Sequence, residues 1–116
     1  MTERTPGPLS PPVYHILLAL SDEVLHGYAI MLRFDELLGG AEQLLPGTLY
    51  ATLARMVEAG LIEEASPPRG EASGGPPRRH YRVTARGRDA ALAETERMRR
   101  LVALARRRAW LPGLAR

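Results

Sequence analysis

Hydroxyl and guanidinium side chains recur at helical spacing after Pro46: Thr48, Thr52 and Arg55, with the small Ala51 between them and Tyr50 beside them. If Leu49, Leu53 and Met56 form a buried stripe, then Thr48, Ala51, Thr52 and Arg55 lie on the outward face. Small side chains on that face allow a backbone to approach a major groove. Hydroxyls can bond phosphates or base edges, and arginine can reach a phosphate or a guanine. The free N–H groups at the start of such a helix, Gly47 included, favour a phosphate. Two plainer roles compete: Thr48 as an N-terminal cap and Tyr50 as a half-buried packing residue.

A second set of cations follows. Ser66–Arg79 holds four Pro and three Gly together with Arg69, Arg78 and Arg79. Such a loop can lay arginines into a minor groove or along phosphates. Its plainer reading is a solvated, disordered tip. Arg82 and His80, on the segment that follows, can support the same surface.

Catalytic chemistry finds little here. The three histidines (His15, His26, His80) are far apart and share no repeated metal-ligand interval with acids. There is no Cys, Gly-rich phosphate loop or nucleophile elbow. Glu63 and Glu64 are adjacent on an expected strand, so they face opposite sides. The expectation is a protein that is not an enzyme, with no cofactor and no metal.

The elements that must position these residues can be read from the spacing. Ser10-Pro11-Pro12 starts a first helix, carried by Val13, Ile16, Leu17 and Leu20 to about Ser21. Asp22–Leu25 reads as a turn. A second helix runs from near His26 to Leu38, burying Ile30, Phe34, Leu37 and Leu38 and ending at Gly39–Gly40. The third runs from Pro46 to Ala59 and stops at Gly60. Leu61–Ala65 and His80–Thr84 read as paired strands, with 66–79 as a long tip. Thr84 caps a last helix, Ala85 to about Arg108, roughly 36 Å long. The fold class is mostly α with a small β-hairpin. It is a winged helix-turn-helix over 9–84, with a flexible arm at 1–8, a C-terminal helix at 85–108 and a tail at 109–116.

Length and charge agree. The 116 residues suit one domain, with ordinary hydrophobic (45%) and charged (25%) fractions. No apolar run reaches the roughly 18 residues of a membrane span, and a cytoplasmic protein is expected. The first 65 residues carry three Arg against nine acids, a net of −6; the remainder carries thirteen Arg against four, a net of +9. A basic half on an acidic body points to an anionic partner such as nucleic acid.

Taken in order, His26-Gly27-Tyr28, Pro46-Gly47-Thr48-Leu49-Tyr50, Glu58-Ala59-Gly60-Leu61-Ile62 and Tyr81-Arg82-Val83-Thr84 with Gly87 resemble the PadR family of bacterial transcriptional regulators, over about residues 9–108. The resemblance implies a winged-helix domain with a single C-terminal dimerisation helix. It further implies a homodimer on a palindromic operator of double-stranded DNA, usually a repressor released by a small molecule. It places Thr48 and Tyr50 on the recognition helix, Tyr28 near the phosphate backbone, and the basic wing beside the minor groove. The Pro- and Gly-extended wing departs from the family's usual shorter or more acidic one.

The last helix has evidence of its own. Ala91, Thr95, Met98, Val102, Ala105 and Ala109 are separated alternately by four and three residues, the spacing of helices packed side by side. Leu101 and Leu104 widen one flank and Leu92 the other. One flank can dock on helix 1 and the other on a second copy, with Ala91, Thr95, Met98, Leu101, Val102, Ala105 and Ala109 as the interface. The alternative is a helix that docks only on its own chain. Met98, Leu101 and Trp110 can line an effector pocket or simply be core. The competing function is a winged-helix protein-interaction module without DNA binding.

Overall fold

A computed structural model describes residues 7–39, 45–68 and 78–111. Arg69, most of the expected wing, the N-terminal arm up to residue 6, Gly40 and the last five residues lie outside the described residues.

The chain runs through α1 (Pro11–Leu20), β1 (Leu25–His26), α2 (Gly27–Leu38), α3 (Pro46–Glu58), β2 (Ile62–Ala65), β3 (His80–Val83) and α4 (Ala85–Arg107). The expected winged-helix architecture is observed, and every expected helix is present within about two residues. Each boundary has a local cause. Proline occupies the first turns of α1 and α3, where a missing N–H costs nothing. Gly39 and Gly60 end α2 and α3 at φ 60° and 80°, a conformation that other residues adopt only with strain. The Thr84 hydroxyl accepts the Gly87 N–H at 3.0 Å and donates to the Gly60 carbonyl at 2.6 Å, so one side chain caps α4 and ties it to the end of α3.

Three local expectations are corrected. Ser10 occupies the cap position of α1, but its side chain makes no cap bond. Pro11 and Pro12 leave few first-turn N–H groups to be capped, and the Ser10 carbonyl accepts the Tyr14 N–H as the first bond of the helix. The expected turn at Asp22–Leu25 gives way at its end to β1, which pairs with β3 through Leu25–Tyr81 and His26–His80. The sheet is therefore three antiparallel strands in the order β1-β3-β2. Two residues are too few to show a strand's alternation; the open edge of β3 supplies the pairing. Leu37, expected in the core, is 56% exposed. Leu37 lies at the edge of the stripe set by Gly27, Ile30 and Phe34, whereas Leu38, one residue on, packs against the core.

Ile16, Leu17, Leu20, Ile30, Phe34, Leu49, Leu53, Met56, Ile62 and Tyr81 form one buried cluster shared by α1, α2, α3 and the sheet. It fixes α3 by one side and leaves the other side to solvent. Gly87 locks α4 onto this body: a Cβ there would lie 2.0 Å from the Leu61 carbonyl oxygen, closer than any contact allows. No helix of the described residues is long and apolar enough to cross a membrane.

Candidate nucleic-acid interface

The inward stripe of α3 is Leu49, Thr52, Leu53 and Met56, at offsets of three, four and seven. Thr52 is 1% exposed, so its expected place on the outward face is corrected. Three residues after Leu49 and four before Met56, it sits on the edge of the apolar stripe, and packing draws it in. Its hydroxyl faces the Arg55 guanidinium at 3.4 Å. Gly47, Thr48, Ala51 and Arg55 are exposed, as expected. Thr48 is not the cap of α3: Leu45 holds that position and offers no side-chain bond.

Tyr50 combines its two expected roles. It stays 53% exposed, yet its ring lies on Gly27: a Cβ at that position would fall 2.7 Å from Tyr50 Cε1 and 2.9 Å from its hydroxyl oxygen. The glycine of His26-Gly27-Tyr28 is thus the seat for an aromatic ring from α3. Tyr28, one residue on, is 54% exposed. His26 begins α2, as expected, with Nδ1 accepting the Ala29 N–H at 3.1 Å.

Between α3, the start of α2 and the base of the wing opens a cavity of about 730 Å³. Tyr28, Tyr50, Arg78 and Arg79 line it together with Gly27 and His26, so the structure unites the expected tyrosines with two of the expected arginines. It also recruits Ala54, Val57, Glu64 and Tyr81, which sequence reasoning passed over. The alternation of β2 signals Glu64: it and Glu63 face opposite sides, as expected, Glu64 toward Arg79 at 3.8 Å and Glu63 toward Arg82 at 2.7 Å. Arg82 is not brought to the cavity. It lies on the other face of the sheet, in a smaller depression with Asp22 and Arg88. His26 and His80, far apart in sequence, are cross-strand neighbours with ring centres 5.3 Å apart. Among the described residues no group of three or more His, Asp or Glu could hold a metal.

The expected interface on α4 divides in two. Ala91 packs on the core and Thr95 meets the Tyr14 hydroxyl at 2.6 Å, so these positions are engaged within the chain, against α1. Glu94, buried beside them, accepts the Leu9 N–H and an ion pair from Arg97. The Arg97 hydrogen bond holds its carboxyl below the usual carboxylate range against the opposing effect of burial, with help from the Leu9 N–H. Farther on, Leu101 and Val102 are 51% and 50% exposed. Ala109 leaves the series altogether: α4 ends at Arg107, and Ala109 turns left-handed at φ 63°. Trp110 is 79% exposed.

The model of the transcriptional regulator PadR-like family matches residues 16–93. Among solved structures, a PadR family transcription regulator from Clostridium difficile R20291 superposes with a TM-score of 0.70 at 24% identity, over 84% of this chain and 97% of that one. A PadR-like transcription factor from Bacteroides fragilis gives 0.65 at 25% identity, over 80% and 84%. Bacillus subtilis PadR in complex with operator DNA gives 0.60 at 24% identity, over 75% of this chain but 47% of that longer one. No curated protein sequence matches. The family is one of regulators, in keeping with the expectation that the chain is not an enzyme. With a matching family model over most of its length, and a fold shared with solved PadR structures, the chain belongs to the PadR-like family of transcriptional regulators.

Proposed function

We infer that the chain binds double-stranded DNA sequence-specifically, as a homodimer on a palindromic operator. The observation that carries this reading is the exposed Thr48–Ala51–Arg55 face of α3, presented by a buried stripe and flanked by Tyr28, Tyr50, Arg78 and Arg79 across one open cavity. Thr48 and Arg55 reach base edges, the N–H groups around Gly47 meet a phosphate, and the tyrosine hydroxyls and wing arginines hold the backbone. Thr52 is withdrawn from this list, and Arg82 serves the wing from its far face at most. The shared fold with an operator-bound relative supports the reading. The exposed half of α4, with Met98, Leu101, Val102 and Ala105, supplies the pairing surface. Repression, release by a small molecule and a cytoplasmic place of action follow from the family resemblance.

The test is selection of duplexes from a random library, followed by titration across salt. A dimer neutralising about six phosphates should lose on the order of 10³-fold in affinity between 50 and 200 mM salt. The selected sites should be palindromic, with half-sites about one helical turn, ~34 Å, apart. A chain that shifts no duplex even at low salt is instead a protein-interaction module.

A further inference from the structure

Arg78, two residues before the start of β3, is held at both ends by histidines. The His80 ring donates from Nδ1 to the Arg78 carbonyl at 3.0 Å, and the Arg78 guanidinium lies 3.1 Å from Nε2 of His26. The same His26 ring caps α2, with Nδ1 accepting the Ala29 N–H at 3.1 Å. These last two contacts make incompatible demands. Ala29 N–H and the guanidinium can only donate, so each requires an acceptor nitrogen, yet a neutral imidazole has one acceptor and one N–H. The protonated ring has no acceptor and satisfies neither.

We propose that His26 is a positioning residue that shares one lone pair between the start of α2 and the base of the wing, so that the α2 cap and the Arg78 seat are alternatives. With the proton on Nδ1, the ring holds Arg78 and α2 loses its cap. With the proton on Nε2, the cap is made and Arg78 is released. The mechanism rests on the DNA-binding reading above. When Arg78 leaves the ring for a phosphate, the proton settles on Nε2 and Nδ1 closes the first turn of α2. That turn carries Tyr28 and seats Tyr50 on Gly27. A wing contact therefore orders the tyrosine side of the same cavity, and by reciprocity an ordered α2 start favours release of Arg78.

Long-range proton–nitrogen NMR of the imidazoles, recorded near pH 8 on the full chain, reads the tautomer directly. In the free wild type, His26 should show an average of two tautomers. In Arg78→Ala, and in wild type bound to a selected duplex, it should move to the Nε2–H form. His26→Asn supplies a second arm. Asparagine is a strong N-cap whose oxygen can take the place of Nδ1 but cannot reach Arg78. It should melt within a degree or two of wild type or higher, whereas His26→Ala should melt several degrees lower. Amide exchange at Ala29 should slow on duplex binding in wild type and be unchanged by the duplex in His26→Asn.

An unchanged His26 tautomer in Arg78→Ala would overturn the shared lone pair. A duplex that binds without moving the tautomer, or that slows Ala29 exchange equally in His26→Asn, would overturn the coupling to DNA. If no duplex binds at all, the DNA-binding reading falls and the coupling with it, while the Arg78→Ala spectrum still decides whether the lone pair is shared.

Discussion

Along α4, Ala90 and Glu94 are buried against the body of the chain, whereas Leu101, Val102 and Leu104, two to three turns on, stand about half exposed. The reason is a mismatch of lengths. At 1.5 Å per residue, the 10 residues of α1 span about 15 Å, and the 23 of α4 about 35 Å. The two run antiparallel: Asp22, just after α1, meets Arg88, and Tyr14 meets Thr95. Leu9, two residues ahead of α1, meets Glu94, so the helix itself runs alongside α4 only to about that turn. The proximal half of α4 is thus part of the core and the distal half an arm. Fully burying a leucine or valine contributes about 1.5–3 kcal/mol, so each half-exposed side chain on the arm leaves roughly 1 kcal/mol unused in the isolated chain. Ion pairs keep the arm helical in solvent. Glu96 bonds Arg99 and Arg100, which hold its carboxyl down to about 2.

The contrast makes its largest claim at Gly87. Alanine there would drive a Cβ into the Leu61 carbonyl. Gly87→Ala should destabilise by about 3 kcal/mol or more, at the upper end for overpacking, and lower the melting temperature by roughly 10 °C or more. A melting curve like that of wild type would deny that the proximal half is locked. On the arm, Leu101→Glu should behave in the opposite way. Sedimentation should show dimer affinity reduced at least tenfold, with the helical signal and melting of the monomer nearly unchanged. A dimer as tight as wild type would move the pairing surface elsewhere.

Smaller effects sharpen the link between arm and DNA face. Arg55→Ala should weaken binding to a selected duplex about tenfold, within the 1–3 kcal/mol of a good base contact, without altering the oligomer. Leu101→Glu should cost more than that in the same binding assay, because it separates two α3 faces at once. Thr48→Ala should weaken binding a few-fold, while Thr52→Val, at a buried position, should leave it unchanged.

The smallest effect concerns Glu94. Its carboxyl is lowered in the folded chain from an ordinary value of 4.5, so the stability it contributes is present above that pH and disappears as the pH falls through the lowered value. Glu94→Gln should therefore be less stable than wild type at neutral pH and converge with it in acid. Parallel denaturation curves from pH 7 to pH 3 would remove Glu94 from the link between Leu9 and α4.

Much of this was legible beforehand because it is local. Prolines at helix starts, glycines at helix ends, the Thr84 cap and the alternation of Glu63 and Glu64 act within four residues of chain, and a linear reading sees them. Thr52 borders the apolar stripe, so spacing leaves it ambiguous and only the packing around α3 turns it inward. Ala91 and Thr95 meet their own chain, a contact that heptad spacing leaves open because it does not distinguish a neighbour in the same chain from one in another. The Gly27 seat for Tyr50 and the meeting of His26 with His80 join residues more than twenty apart, with no periodicity connecting them.

By itself, then, the order of residues determined the helices, the hairpin, the basic second half and the outward Thr48–Arg55 face, since propensity, capping and charge belong to short stretches of chain. Which borderline side chains turn inward, how far α1 covers α4, and which tyrosines, histidines and arginines share one cavity were decided by tertiary packing. Those outcomes depend on the length and placement of elements distant in sequence, and no local pattern encodes a distance in space.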